Sequence, residues 1–155
     1  MQSNNITIIN FEPNLSTYVK ALNYEWLQKY FTVEPTDVLH LGDPQKYIID
    51  KGGFIYFIKL NNEIVGTASL LKITATQFEL GKMAITYTAQ GHGLGGLLLT
   101  HCIAAAKAKN ISTLILYSNT ILKNAIYLYK KFGFVAMPLQ TISYKRSNIK
   151  MVLQL

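Results

Sequence analysis

The sequence predicts an α/β fold in which a mixed, mostly antiparallel central sheet of about seven strands carries about four helices. Seven short β-branched or apolar segments read as strands and four longer stretches as helices, in the order β-α-α-β-β-β-α-β-α-β-β. No repeat, low-complexity tract or Pro/Gly/Ser-rich linker interrupts that order, so residues 1–155 read as one domain. The length of 155 residues, 50% hydrophobic and 15% charged, is that of a single domain with a real core. A chain of this size buries roughly 70% of its extended surface without metal or disulfide staples.

Ile6 to Phe11 is rich in β-branched residues and reads as a first strand, ended by Pro13. From Leu15 to Phe31 the apolar positions Leu15, Tyr18, Val19, Leu22, Trp26 and Leu27 fall on one helical face, with Asn14 as the expected N-cap. A second helical stretch is broken near Asp43-Pro44, reaches Asp50 and stops at Gly52-Gly53. Phe54 to Leu60 and Glu63 to Ile73 read as a hairpin across Asn61-Asn62, a residue type that tolerates the turn. Phe78 to Thr86 follows the polar link Thr74 to Gln77 and completes an antiparallel meander. The pattern then changes. Gly91 to Gly96 is glycine-dense, and Leu97 to Lys109 is an alanine- and leucine-rich helix that ends at Asn110. Leu114 to Tyr117 is a short apolar strand, and Ile121 to Phe132 is a helix stopped by Gly133. Phe134 to Ala136 begins another strand, and Ile149 to Leu155 closes the sheet.

The single cysteine, Cys102, cannot form an internal bridge, and with no clustered ligands around it no metal site is expected. A reducing, cytoplasmic setting is the simplest reading. No apolar run is long enough to cross a bilayer, and Met1 to Asn5 lacks the basic head and apolar stretch of a signal peptide, so no membrane association is expected. The net charge of +7 is unevenly distributed. All eight acids lie at or before Glu79, against six lysines, whereas the chain beyond Glu79 carries eight lysines, Arg146 and no acid. Such a one-sided field favours a polyanionic partner, either nucleic acid or a phosphorylated cofactor.

Gln90-Gly91-His92-Gly93-Leu94-Gly95-Gly96 sits between a strand and a helix, where backbone amides and the helix dipole can converge on a phosphate. It lacks the Gly-Lys-Ser/Thr ending of a Walker A loop and the spacing of a dinucleotide fold. The spacing alone fits equally a tight turn with no ligand. Gln90-x-x-Gly93-x-Gly95 resembles the Gln/Arg-x-x-Gly-x-Gly/Ala signature of the GNAT N-acetyltransferase superfamily, and it follows a strand reading Leu-Gly-Lys-Met-Ala-Ile. Ala125-Ile126-Tyr127-Leu128-Tyr129-Lys130-Lys131-Phe132-Gly133-Phe134 is similar to that family's A-I-x-L-Y-x-K-x-G-F segment. The two motifs come in the family's order, and with the sequence of strands and helices the resemblance spans essentially the whole chain.

The resemblance implies a sheet whose two central strands, Phe78 to Thr86 and Leu114 to Tyr117, splay apart. It also implies an acetyl-CoA-dependent N-acetyltransferase that acts by direct attack of a primary amine in a ternary complex. Acetyl-CoA would lie with its pyrophosphate on the amides of Gly91, His92, Gly93, Leu94, Gly95 and Gly96, with Gln90 at the entrance. Its pantetheine arm would run along Met83, Ala84 and Ile85, and an amide near Ala84 or Ile85 would polarise the thioester. Tyr129 matches the family's phenol near the sulfur, a proton donor to the leaving thiolate, with Tyr127 and Tyr117 as competitors. Glu79, the last acid of the chain and eleven residues before Gln90, matches the general base of the histone-acetylating branch. An electrostatic anchor for a cationic substrate, or a partner for Lys82, are the other roles open to it. The family asparagine three residues before the second motif's alanine is replaced by Leu122, so Asn119 is the substitute contact for pantetheine, or else a helix cap. Cys102, mid-helix, reads as core. His92 is a candidate phosphate contact, while His40 and His101 lack metal-ligand spacing. Tyr24, Trp26, Tyr30 and Phe31 fall where the family builds its acceptor pocket.

Two rival readings stand beside this one. A catalytically silent acyl-CoA sensor would have no need of both Glu79 and Tyr129. A nucleic-acid surface would need Lys107, Lys109, Lys123, Lys130, Lys131 and Lys145 arrayed with aromatics, and they are scattered, so no nucleic-acid partner is expected. The acceptor amine is left open, as is a homodimer. Acceptor choice is assigned to the segments Asn14 to Gly52 and Met137 to Asn148, because loops and flanking helices carry specificity on a shared scaffold.

Overall fold

The computed structural model describes residues 4–139 and 144–155, so part of the Met137 to Asn148 segment and the extreme N-terminus lie outside the described residues. The strands are β1 (Ile6–Asn10), β2 (Phe54–Leu60), β3 (Glu63–Lys72), β4 (Gln77–Ile85), β5 (Thr113–Ser118), β6 (Val135–Met137) and β7 (Ile149–Gln154). The helices are α1 (Ser16–Tyr30), α2 (Pro35–Gly42), α3 (Leu94–Ala108) and α4 (Lys123–Lys131), and a π-type turn spans Gln45–Ile49. The seven strands form one sheet in the order β1-β2-β3-β4-β5-β7-β6. All neighbours are antiparallel except β4 and β5. Asn61 and Asn62 both have positive φ, 51° and 69°, which gives the β2–β3 hairpin its tight turn.

The sheet is covered on both faces. On one, α3 and α4 bury Leu98, Leu99, Cys102 and Ile126 against Ile58, Leu70, Phe78, Leu80 and Leu114. On the other, α1, α2 and the π-type turn bury Val19, Leu27, Leu41 and Ile48 against Ile55 and Phe57. Strand β4 supplies both sides by alternation, sending Phe78 and Leu80 into the α3 core and leaving Glu79 on the α1–α2 face, where its cross-strand neighbour is Leu71.

Three element boundaries differ from expectation. Asn14 caps nothing. It lies in a single 3-10 turn, Pro13–Leu15, and Ser16 starts α1 with its hydroxyl donating to the Pro13 carbonyl at 2.7 Å. Helix α3 begins at Leu94 rather than Leu97, because two glycines in a first turn cost little once a left-handed Gly93 has started the helix. Helix α4 begins at Lys123 rather than Ile121, after a turn closed by the Leu122 amide donating to the Asn119 carbonyl at 3.0 Å.

Candidate active site

The parallel pairing of β4 with β5 covers only Gln77↔Thr113, Phe78↔Leu114 and Glu79↔Ile115. From Leu80 onward β4 keeps β3 on one side and, among the described residues, has no strand on the other, while Leu116 to Ser118 of β5 continue against β7. The central strands therefore diverge immediately after Glu79, and the edge of β4 through Met83, Ala84 and Ile85 faces the gap. A bulge sharpens the bend: the β3–β4 register slips between Thr67 and Ser69, and Lys82 opposite it takes φ +50°. The buried Asn23 side chain of α1 secures the kink, its amide donating to the carbonyls of Lys82 at 3.1 Å and Val19 at 2.9 Å.

The gap leads to the glycine loop. Gln90 anchors its start, Nε2 donating to the Ile85 carbonyl at 3.0 Å, and the Glu25 carboxylate of α1 accepts from the Tyr87 amide and the Thr86 hydroxyl. Gly91 and Gly93 have φ of +84° and +78°, and a Cβ at either would meet nothing within 4 Å. Backbone conformation, not crowding, is what calls for glycine there. Among the described residues none of the six amides from Gly91 to Gly96 donates to a turn, loop or side-chain acceptor, and first-turn amides have no partner inside their own helix. Leu94 offers only its amide, since its side chain is 1% exposed. A Cβ on Gly95 would lie 3.5 Å from Leu128 and 3.8 Å from Met83, so loop, α4 and β4 converge at one point. His92 is exposed within the loop.

On the α1–α2 face the site is ionic. Lys82, 7% exposed, puts Nζ 3.1 Å from Asp37 Oδ1 of α2, and Arg146 grips the same carboxylate at 2.6 and 2.9 Å and Glu34 at 3.2 Å. Lys82 also donates to the Tyr144 hydroxyl at 3.2 Å, and that hydroxyl donates to Glu79 Oε2 at 3.4 Å. Glu79 is therefore not the ion-pair partner of Lys82; Asp37 is. Burial raises the Glu79 pKa, opposed in turn by the charge of Lys82, the Tyr144 hydrogen bond and the charge of Arg146. The Lys82 ammonium is itself disfavoured by burial, with Asp37 acting against that. Two carboxylates and two cations neutralise one another here, and Glu79 is the unmatched acid beside them.

Asp37 is fully buried. Burial works to raise its pKa, but the Arg146 hydrogen bond, the Glu34 amide and the charges of Lys82 and Arg146 together lower it below 3.8. A carboxylate whose folded pKa is depressed contributes stability that is present above the unfolded value and lost as pH falls through the folded one. Asp37→Asn leaves two cations without their shared partner. The expected loss is about 3–5 kcal/mol, a fall in Tm on the order of 10 °C, and the variant's Tm, read by calorimetry from pH 7 downward, should lack the part of the acid decline that the wild type owes to Asp37 below about pH 4.

The remaining candidates divide by position. Tyr129 packs in the α3–α4 core, edge-on to Phe134 at 5.9 Å, and its hydroxyl makes no hydrogen bond to any described residue. Burial pushes its pKa up to about 12, so the phenol keeps its proton at neutral pH. Tyr127 is 71% exposed on the outer side of the same helix, and Tyr117 lies in β5 opposite Lys150. The Asn119 side chain is engaged at both ends, donating to the Arg146 carbonyl at 2.7 Å and accepting from the Ile121 amide at 2.9 Å, and so ties the entrance of α4 to the Arg146 segment. Cys102 is fully buried, its thiol pushed up to about 12 by burial. Of the four N-terminal aromatics only Trp26 reaches the ionic cluster, its ring 5.6 Å from the Arg146 guanidinium and edge-on to Phe31. Tyr24 packs on the α1–α2 core and Tyr30 is 49% exposed. Among the described residues no three His, Cys, Asp or Glu side chains group as metal ligands, and no helix is long and apolar enough to cross a membrane.

Sequence reasoning missed Asp37, Glu34, Arg146, Tyr144 and Asn23. The available signal was the sole arginine, set in a segment otherwise short of charge partners.

Comparison with known proteins agrees with this geometry. A family model described as acetyltransferase (GNAT) family matches residues 20–134. A GNAT-family acetyltransferase from Staphylococcus aureus Mu50 superimposes with a TM-score of 0.85 at 20% identity, covering 97% of this chain and 99% of its own. An acetyltransferase from Streptococcus agalactiae 2603 superimposes with 0.81 at 18% identity, covering 100% of both chains. A putative acetyltransferase from Salmonella typhimurium, solved with its cofactor acetyl-CoA, gives 0.74 at 18% identity over 96% of this chain and 93% of its own. No curated protein matches the chain. The splayed strands, the loop of unpartnered amides and the matched family model together make this chain a member of the GNAT acetyltransferase family.

Proposed function

We propose that residues 1–155 form one N-acetyltransferase domain that moves the acetyl group of acetyl-CoA directly to a primary amine. The observation that carries the reading is the open edge of β4 from Leu80 to Ile85 running into the six amides of Gly91 to Gly96, which have no partner among the described residues. Backbone groups left unpaired beside a cleft are costly unless water or a ligand satisfies them, and amides at a helix start are suited to an anion. The residues present fit acetyl-CoA: the loop amides would hold its pyrophosphate, and Met83 to Ile85 would pair with its amide-bearing arm. Six of the exposed lysines, Lys107, Lys109, Lys123, Lys130, Lys131 and Lys145, add a positive field on the chain's second half, while Lys82 and Arg146 are already paired with Asp37 and Glu34.

Bound acetyl-CoA supplies the activated thioester. Glu79 takes a proton from the incoming ammonium, for which its burial-raised pKa suits it. Tyr129 holds a proton for the departing sulfur. A buried thiol with a pKa near 12 makes Cys102 a poor nucleophile, which supports direct transfer over an acetyl-cysteine step. The lone cysteine also fits a cytoplasmic setting.

The test is acetyl-CoA turnover across classes of amine, read by thiol release. Release that depends on the amine supports the reading, and acetyl-CoA binding without release for any amine would favour a sensor. Tyr129→Phe keeps the ring and the core packing, so acetyl-CoA affinity and Tm should hold while single-turnover rate falls about 10²-fold, the low end for a general acid because a thiolate leaves readily. An unchanged chemical step would move the role to another donor.

A further inference from the structure

Glu79 opens on the α2 side into a cavity of about 540 Å³, within the range of small-molecule sites. Its lining is chemically divided. Tyr47, Ile48, Leu71 and Ile73 contribute apolar surface, Glu79 a carboxylate, and the solvent-exposed Lys51 and Lys72 two ammonium groups. None of the ion pairs among the described residues includes Glu79, Lys51 or Lys72. His40 lines the same space, and its Nδ1 atom is buried with no hydrogen-bond partner among the described residues. One carboxylate outside any ion pair, two lysines outside any ion pair and a buried imidazole nitrogen without a hydrogen-bond partner thus line one cavity that also carries apolar surface.

We infer that this cavity selects acceptors that carry an anionic group as well as the amine, namely amino acids with an apolar side chain. The amine lies at Glu79 and the carboxylate at Lys51 and Lys72. The inference rests on the acetyl-transfer reading for the role of the amine. A simple alkylamine would satisfy Glu79 and leave both lysines unmatched. A diamine would set a second cation against them, and a protein lysine would bring no fixed anion. Burial, then the charge of Lys82, holds His40 below its usual range despite Asp37, so at neutral pH it is an uncharged hydrogen-bonding group and adds no third cation. The apolar wall accounts for the side chain, since a bare zwitterion such as glycine would leave Tyr47 and Leu71 uncovered.

The experiment compares leucine, methionine and phenylalanine, each against the amine made by removing its carboxylate, isopentylamine for leucine. It measures kcat/KM with acetyl-CoA and, separately, calorimetric binding to the CoA-saturated protein. At least one amino acid should be preferred over its amine by about tenfold or more, the scale of a charge-assisted contact. The double variant Lys51→Ala/Lys72→Ala, checked for native Tm, should bring that ratio close to one, whereas Lys59→Ala, in β2 and outside the cavity lining, should preserve it. No preference in wild type, or a preference untouched by the double variant, overturns the inference. If no amine of any class is acetylated, the acetyl-transfer reading fails. Calorimetry then decides the site by itself: amino-acid binding weakened by the double variant sustains it, and no binding ends it.

Discussion

Glu79→Gln is expected to lower kcat/KM for an amine acceptor by about 10²- to 10⁴-fold, the range that general base catalysis supplies. The substitution removes the proton acceptor and nearly nothing else, because glutamine is isosteric and Tyr144 can still donate to its carbonyl oxygen. The pH dependence separates a base from an anchor. Groups facing the carboxylate are the Tyr144 hydroxyl at 3.4 Å, the Lys82 ammonium behind it, and more distantly Arg146. Burial outweighs their pull, so the wild-type rate should rise through an apparent pKa above the ordinary carboxylate range and then level. In the variant that limb should vanish or follow the acceptor, with higher pH partly restoring the rate as free amine accumulates. If Glu79 only held a cation, the variant would raise KM and leave kcat and its limb in place. Two acceptors of different basicity are needed, since an acceptor's own pKa can imitate the enzyme's. A limb that tracks the acceptor in both proteins would remove the base assignment and leave the family membership intact.

Glu79 could be singled out from sequence because its signal is local: one carboxylate inside an apolar strand, and no acid after it. The cluster that sets its chemistry could not. Lys82 and Asp37 are 45 residues apart, and Asp37 and Arg146 are 109, so their pairing follows from the fold and has no spacing signature. The bulge at Lys82 was equally silent, since a positive φ is normally announced by glycine or asparagine and here a lysine adopts it, held by Asn23. Asn14 shows the opposite error. Asparagine favours caps, but Asn14 sits inside a 3-10 turn; at Asn119 the side chain serves a turn ahead of α4 and the Arg146 carbonyl, while Leu122 stands at the cap position. The meander, the loop and the order of elements were readable because turn chemistry and periodicity are local. The divergence of β4 from β5 was implied by the family resemblance alone, because a missing pairing leaves no mark in residue pattern. From the segments assigned to acceptor choice, Tyr144 donates to Glu79, and His40 and Lys51 line the same cavity as Glu79.

Gly93→Asp is expected to abolish the rise in Tm that acetyl-CoA gives the wild type. A ligand that binds only the native state stabilises by about 2.7 kcal/mol at one hundred times its Kd, so the control shift is readily measured. Three effects act together at this residue. Gly93 has φ +78°, where a side chain strains the backbone, and the strain falls on the residue that starts α3. A Cβ there would meet no protein atom within 4 Å, so the new carboxylate projects into the open space before the amides of Leu94, Gly95 and Gly96 and itself takes up their positive potential. It also repels phosphate at close range. The same geometry predicts that the variant folds, because an aspartate is a good N-cap and offsets part of the strain. Gly93→Ala isolates that strain: it adds a methyl group in empty space without charge and should weaken acetyl-CoA binding far less than aspartate does. If Gly93→Asp is folded and keeps native affinity, the phosphates lie elsewhere and the loop is only a turn. If alanine and aspartate are equally damaging, backbone conformation alone controls the site and the anion cradle is the wrong description.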